Sequence, residues 1–409
     1  MSPPAPPPDV PRALREVDAL MKPVADTARL LPALTAENAV EERARLVDAL
    51  ERREAPVPAW TLRPARVEPA VWRMLERARA RVEGEPIAAL YLARLDELEL
   101  ELAMIEALGD ARRVRPLAAR RFGTGRTEVE APGGRAPAAR FARALLDALP
   151  HREEPHTVPA AAAAGRPSLA GLMLAVAREA GLSIEVKVEP RLSAGAATGD
   201  RTVFLADRWF GAREAQRFAV HEVLGHAVAA ANARAQPLRL FEIGTAGAFS
   251  AQEGLCLCLE ERAGLLDPYR LRIVAARVLA ADRMHHGAPF GDTARWLRRE
   301  HELSAADAIG VAERAYRGGG VARDVGYLVG WLRVRGALER GETNVDDLRA
   351  GRVDVETARA LPRLIEAGLA RPPRHRPSLS SSRAATDAGT SFETSPPSLA
   401  ASFTMLEET

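Results

Sequence analysis

The 409 residues are enough to bury a large core, in one large domain with subdomains or in two or three smaller ones. Its 57 basic and 55 acidic residues are interspersed and leave a net charge of +2, which excludes the basic patch of a nucleic-acid-binding surface. A hydrophobic content of 47% is ordinary for a soluble globular protein, and no apolar run reaches the ~20 residues that cross a bilayer, so no membrane partner is expected.

Residues 1–10 are Pro-rich and expected to be disordered; they carry neither a basic n-region nor an apolar h-region, so no secretory signal is expected. Helical periodicity then dominates to residue 150, over Glu37 to Arg53, Glu68 to Val82, Pro86 to Leu108 and from about Ala136 to Leu149. This stretch, 11–150, forms an N-terminal helical subdomain. His151 to Pro167, with Pro155, Pro159 and an Ala run, is a connector. A helix from Ser168 to Ala180 stops at Gly181, and Ser183 to Glu189 then alternates with period two as a half-buried strand does. Thr202 to Ala206 is a second short strand. Helical periodicity returns from Ala212 to about Leu369, so 151–370 is expected to be the catalytic domain. The Ser-, Pro- and Thr-rich stretch 371–409 has too few apolar anchors for a core and reads as a flexible tail. The predicted fold is mostly α with a small β-sheet (α+β), the sheet standing just before the helix that carries the chemistry. Only two of the basic residues are Lys (Lys22 and Lys187), and with the high Ala content this reads as a GC-rich bacterial genome. Cys256 and Cys258 lie two apart on a predicted helix, point in different directions and do not bridge, which fits a reducing cytoplasm.

The Ala212 to Ala233 helix contains His221-Glu222-Val223-Leu224-Gly225-His226. In HExxH the two His stand four apart, about 40° around the helix axis, and both reach one Zn²⁺. Here the spacing is five, about 140° on a regular helix. A one-residue π-type bulge brings the second His back, and Gly225 is suited to such a distortion. Chance produces an HExxxH match in on the order of one such chain in a hundred. An amphipathic helix behind short strands, where a strand edge can hold an extended peptide, is the zincin arrangement, and it raises the metal reading well above chance. A catalytic zinc takes three protein ligands and leaves a position for water. Glu253, on the first turn of the next helix, is the expected third ligand. Glu260, Glu261, Cys256, Cys258, His285 and His286 compete with it. Glu222 is the base that takes the water's proton, and Tyr327 is the candidate oxyanion donor. Arg323 or Arg314 is a candidate for binding a substrate carboxylate, because guanidinium holds carboxylate in two parallel hydrogen bonds.

Together, HExxxH and Gln252-Glu253-Gly254-Leu255 resemble the QEGLA-motif proteins, a bacterial family related to the microtubule-associated tyrosine carboxypeptidases. Further similarity lies in Asn232 with Gln236-Pro237-Leu238, in Glu37 to Glu42, in Arg314 to Gly318, and in Arg323-Asp324 with Tyr327 to Gly330. The resemblance covers about residues 25–370. It implies a zincin-like metallopeptidase core with one catalytic Zn²⁺ on His221, His226 and Glu253, and Glu222 as base. The implied activity removes a C-terminal Tyr or Phe from a peptide or protein tail. The chain departs from the pattern at Gly225, where eukaryotic members carry a hydroxyl residue, and at Cys256, where the name motif has Ala. The hexapeptide is also similar to the motif of dipeptidyl peptidase III, a much longer protein whose third ligand lies in a Glu-Glu-Cys-x-x-Glu segment. Cys258 to Arg262 lacks that order, so a dipeptidyl-peptidase-III-like exopeptidase stands second. A catalytically silent zinc-binding regulatory protein would need the ligands but not Glu222.

Overall fold

A computed structural model describes residues 10–378 apart from 86, 132–133, 151–155, 162–166 and 193. The Pro-rich stretch at residues 1–9 and residues 379–409 of the expected tail lie outside the described residues.

The chain opens with helices α1 (Arg12–Thr27), α2 (Leu30–Leu34), α3 (Ala39–Glu51), α4 (Pro69–Val82), α5 (Ala88–Ala107) and α6 (Ala111–Phe122). Local chemistry sets their ends. Pro69 stands in the first turn of α4, where its missing N–H costs nothing. Asp110 caps α6 by accepting from the Arg112 and Arg113 amides, and Gly123 at φ 79° ends it. Next come β1 (Glu128–Ala131) and β2 (Gly134–Pro137), an antiparallel hairpin. The helix expected from about Ala136 therefore starts two residues later, as α7 (Ala138–Ala148), because Ala136 and Pro137 are paired with Val129 and Glu128.

The connector contributes β3 (His156–Pro159), and α8 (Leu169–Glu179) follows, capped by Ser168. Then come β4 (Glu185–Glu189), β5 (Ala196–Thr198), β6 (Thr202–Ala206) and β7 (Trp209–Gly211). β4 alternates as expected, with Val186 and Val188 half-buried between exposed neighbours. It pairs in parallel with β6, whose other edge takes β5 antiparallel, so β5 is an edge of the three-stranded sheet. β7 pairs with β3.

The remainder is helical. α9 (Ala212–Phe218) runs through a π segment (Ala219–Ala227) into α10 (Val228–Ala233). These are followed by α11 (Leu240–Ile243), α12 (Ala248–Arg262), α13 (Pro268–His285), α14 (Phe290–Glu300), α15 (Ala305–Tyr316), α16 (Val325–Glu339), α17 (Val345–Leu348) and α18 (Val355–Glu366). α12 and α16 cross at near backbone contact. A Cβ on Gly254 would overlap the Gly330 carbonyl carbon, and one on Gly330 would overlap the Ser250 carbonyl oxygen. The glycines of Gln-Glu-Gly and Tyr-Leu-Val-Gly are thus the two sides of one helix crossing.

The apolar core is continuous from Leu14 on α1 to Ala370. Polar ties run between the N-terminal helices and the later part. Asp18 accepts from the Arg239 amide, and Glu97 accepts from the Gly247 amide. Past α18 the chain lies against α10 and its exit. Asn232 exchanges hydrogen bonds with the backbone of His375, and Gln236 does the same with Arg371. The described, hydrogen-bonded backbone thus runs beyond residue 370. No helix among the described residues is long and apolar enough to cross a membrane.

Candidate metal centre

The motif helix answers the five-residue spacing. From Ala219 to Ala227 the backbone is π-helical over nine residues, a longer distortion than the single expected bulge. When hydrogen bonds run i→i+5, residues five apart return to nearly the same face. The rings of His221 and His226 accordingly stand 5.0 Å apart. Gly225 has a different use from the one its flexibility suggests. A Cβ there would overlap Cys256 Sγ, so the glycine lets α12 pack close beneath the π segment.

Glu253, on α12, faces both imidazoles. Its Oε2 lies 3.3 Å from His221 Nε2 and 3.8 Å from His226 Nε2. That oxygen is buried and accepts no hydrogen bond. Two donors about 2.0–2.1 Å from a tetrahedral zinc are about 3.4 Å apart, so the observed separations fit a shared ion. An orphaned buried carboxylate oxygen facing two imidazole nitrogens asks for a cation. His221, His226 and Cys256 form a second trio with donor atoms within 4.8 Å of one another, and it too could hold a metal. Glu253 is the stronger third donor. Its oxygen has no other partner, whereas Cys256 Sγ already lies 3.4 Å from the His221 carbonyl oxygen. Burial, with the Glu253 and Glu222 carboxylates, also pushes the Cys256 thiol well above its usual range.

A second layer holds these groups. His221 Nδ1 donates to Glu260 Oε1 at 2.7 Å, leaving Nε2 directed at Glu253. Glu260 is fully buried, and Arg270 Nε donates to its other oxygen at 3.2 Å. Burial alone would raise the Glu260 carboxyl, but Arg270, His221 and Arg217 bring it down to about 2. Burial also works against a charged His221, yet the Glu253, Glu260 and Glu222 carboxylates outweigh it and raise its pKa to about 9. Three carboxylates in one buried corner therefore draw in positive charge from a proton or a metal. Thr198, on the β5 edge, donates to Glu222 Oε2 at 2.6 Å. On sequence grounds Glu260 is only a rival ligand, although it stands seven residues after Glu253 on the same helical face. Thr198, on a three-residue strand, gives no signal there.

All seven expected site residues line one cavity of about 740 Å³. Its other wall is built from α13, α15 and α16. There Arg314 Nη1 donates to Asp324 Oδ2 at 2.7 Å, and Arg277 Nη1 reaches the same oxygen at 3.4 Å. Burial would raise Asp324, but Arg314, Arg277, Arg317 and Arg323 hold it down to about 2. Arg323 lies over the Phe249 ring at 4.3 Å. Tyr327 packs under Arg277 at 5.2 Å, and burial raises its hydroxyl pKa. Arg317 is a cavity residue that lies in the Arg314 to Gly318 pattern but is not among the expected site residues. It is 6% exposed and makes no ion pair with the described residues. Burial and the neighbouring Arg314 lower it to about 10.

The sequence model of the microtubule-associated tyrosine carboxypeptidase family matches residues 50–395. The chain belongs to this family. No curated protein matches it. Every residue of the metal corner and of the arginine wall falls within the matched span. The family match begins later than the expected start near residue 25 and leaves out the Glu37 to Glu42 pattern. In the structure Asn38 and Glu42 fasten the loop ahead of α4: Asn38 donates to the Ala59 carbonyl, and Glu42 accepts from the Ala59 amide.

Proposed function

We propose that the chain is a zinc-dependent metallocarboxypeptidase that hydrolyses the C-terminal residue, with Tyr or Phe favoured, from a peptide or protein. The observation that carries this is the orphaned Glu253 Oε2 facing both imidazole Nε2 atoms. His221, His226 and Glu253 are the proposed ligands, in a zincin-like core with the β5 edge beside the motif helix. When bound, zinc lowers the pKa of its water to about 7 and polarises the scissile carbonyl.

The chain's own residues do the rest. Glu222 takes the water's proton and passes it to the departing amine. Thr198 holds that carboxylate by one oxygen, leaving the other for the proton. Tyr327, whose hydroxyl bonds to none of the described residues, donates to the developing oxyanion. Arg317 and Arg323 meet the substrate's terminal carboxylate, while Arg314 is engaged with Asp324 and positions its neighbours. A wall on which four arginines outnumber the acids Asp324 and Asp307 suits a terminal carboxylate, not the terminal amine that a dipeptidyl-peptidase-III-like enzyme must hold. The anchored Glu222 argues against a silent regulatory protein, which has no use for a base.

The test is metal content together with hydrolysis of matched peptides ending in Tyr, in Phe or in C-terminally amidated Tyr. The expected result is stoichiometric zinc, release of free Tyr or Phe, and no cleavage of the amide. Stoichiometric zinc with all three peptides left intact would overturn the proposal.

A further inference from the structure

We propose that Asp307, held by Tyr269, accepts the phenol O–H of a substrate's C-terminal tyrosine and so makes the site prefer Tyr to Phe. This rests on the carboxypeptidase reading above and names the residue that chooses the side chain.

The cavity wall built from α13 and α15 changes character along its length. On α13, Tyr269, Ile273 and Arg277 line the cavity at four-residue intervals, one turn after another on one face. On α15, Asp307 lines it from the first turn and Arg314 from the last, with Arg317 just beyond. The two helices run the same way here, because Tyr269 bonds to Asp307 at one end while Arg277 and Arg314 share Asp324 at the other. The wall therefore presents a hydrogen-bonding pair, then an apolar turn, then a group of guanidinium ions. Hydroxyl, ring and carboxylate follow in that order along a terminal tyrosine.

Length agrees with order. Seven residues of α15 and eight of α13 rise about 10–12 Å. A tyrosine is roughly 8 Å from carboxylate to hydroxyl oxygen, and a hydrogen bond of about 2.8 Å at each end extends its span to roughly 13–14 Å. The long arginine side chains take up the difference. This wall also stands against the metal corner, since Arg270, next to Tyr269, donates to the Glu260 that holds His221.

Asp307 is prepared as an acceptor. Tyr269 Oη donates to its Oδ1 at 2.9 Å, and Ser304 Oγ, the cap of α15, donates to its Oδ2 at 2.8 Å. Burial and Asp307 itself raise the Tyr269 hydroxyl above its ordinary range, so Tyr269 stays the donor of that pair. A carboxylate has about four lone-pair sites, and these bonds use one on each oxygen. Asp307 is half-buried and lines the cavity, so its remaining sites are open to a donor from that side. A phenol O–H supplies that donor. A phenylalanine ring would cover the carboxylate without replacing its hydrogen bond to water.

Matched peptides ending in Tyr or Phe, cleaved by the zinc-loaded wild type, Asp307→Asn and Asp307→Ala, test this by the ratio of the two kcat/KM values. A hydrogen bond to a charged acceptor should make the wild-type ratio ~10–100 in favour of Tyr. Asp307→Asn keeps the shape and a neutral acceptor, and should lower the ratio ~10-fold. Asp307→Ala should bring it close to one. Calorimetry with free tyrosine and free phenylalanine reads the same preference as a ratio of Kd, without turnover. Because Asp307 also stands in the first turn of α15, its loss can depress both rates, and only the ratio reports on the hydroxyl. Asp307→Asn decides the point if Asp307→Ala does not fold. A wild type that cleaves both peptides alike, or a ratio that neither variant lowers, overturns this inference and leaves the carboxypeptidase standing. A wild type that cleaves neither peptide overturns both.

Discussion

The cavity has two faces of opposite electrical character, and each is incomplete without something from outside. At the metal corner Glu222, Glu253 and Glu260 gather around two imidazoles, with one carboxylate oxygen left bare. On the other wall Arg277, Arg314, Arg317 and Arg323 line the cavity around the buried acid Asp324, with Asp307 the acid that faces the cavity there. A buried charge without a partner is costly, so a fold that keeps a negative surplus on one side and a positive surplus on the other gains from its ligands what it lacks internally. The corner asks for a cation and the wall for an anion. A zinc ion and a peptide's terminal carboxylate satisfy both demands, and the distance between the two faces decides which bond is cut.

The largest effect should come from the corner's chemistry with its charge pattern left nearly intact. Glu222→Gln is expected to keep stoichiometric zinc and lose ~10²–10⁴-fold in kcat, the usual worth of a general base, as read by steady-state hydrolysis beside metal analysis. Loss of zinc in this variant would mean that Glu222 is a ligand. Next in size is the wall. Arg317→Met keeps the bulk and removes the charge, and it should lower kcat/KM by ~10–100-fold, the worth of a hydrogen bond to a charged group. Most of the loss should fall on KM, with zinc content unchanged. A full-strength variant would return the anchoring role to Arg323. Smaller still is the support behind the corner. Glu260→Gln keeps shape but weakens the hold on His221 Nδ1, and zinc affinity by chelator competition should fall ~10–100-fold. An unaltered affinity would make Glu260 a partner of Arg270 alone.

The two faces also differ in how far the amino-acid sequence reveals them. The corner is written locally: His221, Glu222 and His226 sit within six residues, and Gln252-Glu253-Gly254 marks the next helix. Even the misfit of the five-residue spacing is informative, since it requires the distortion that the π segment supplies. The wall is legible only in part: Arg314 and Arg323 stand out as candidates and Arg317 lies in the Arg314 to Gly318 pattern, but Arg277 comes from a separate helix that only tertiary packing joins to them and is one arginine among many. Thr198 is hidden for a similar reason, as β5 is too short for period-two alternation to register. Of the fold, long amphipathic helices such as α4 and α5 are plain. The β1–β2 hairpin is not, since Ala136 and Pro137 read equally well as the start of α7.

Asp324, the acid that pairs with the wall's arginines, allows the comparison to be tested without substrate. Asp324 has a folded pKa of about 2, below the ordinary 3.8. A depressed carboxylate adds stability that is fully present above the unfolded pKa and is lost as pH falls through the folded one. The window is therefore about pH 4 down to about pH 2, and a pKa depressed across that window corresponds to about 2–3 kcal/mol at its full value. Glu260 contributes in the same window with the same sign, since its carboxyl is also held at about 2. Urea unfolding across that range should show the wild type losing stability steadily as pH falls. Asp324→Asn, which leaves Arg314 and Arg277 without their anion, should be less stable at pH 7 and lose less between pH 4 and pH 2. The same acid slope in both proteins would mean that the arginines balance one another through substrate or solvent anions, and that Asp324 is not what holds the wall together.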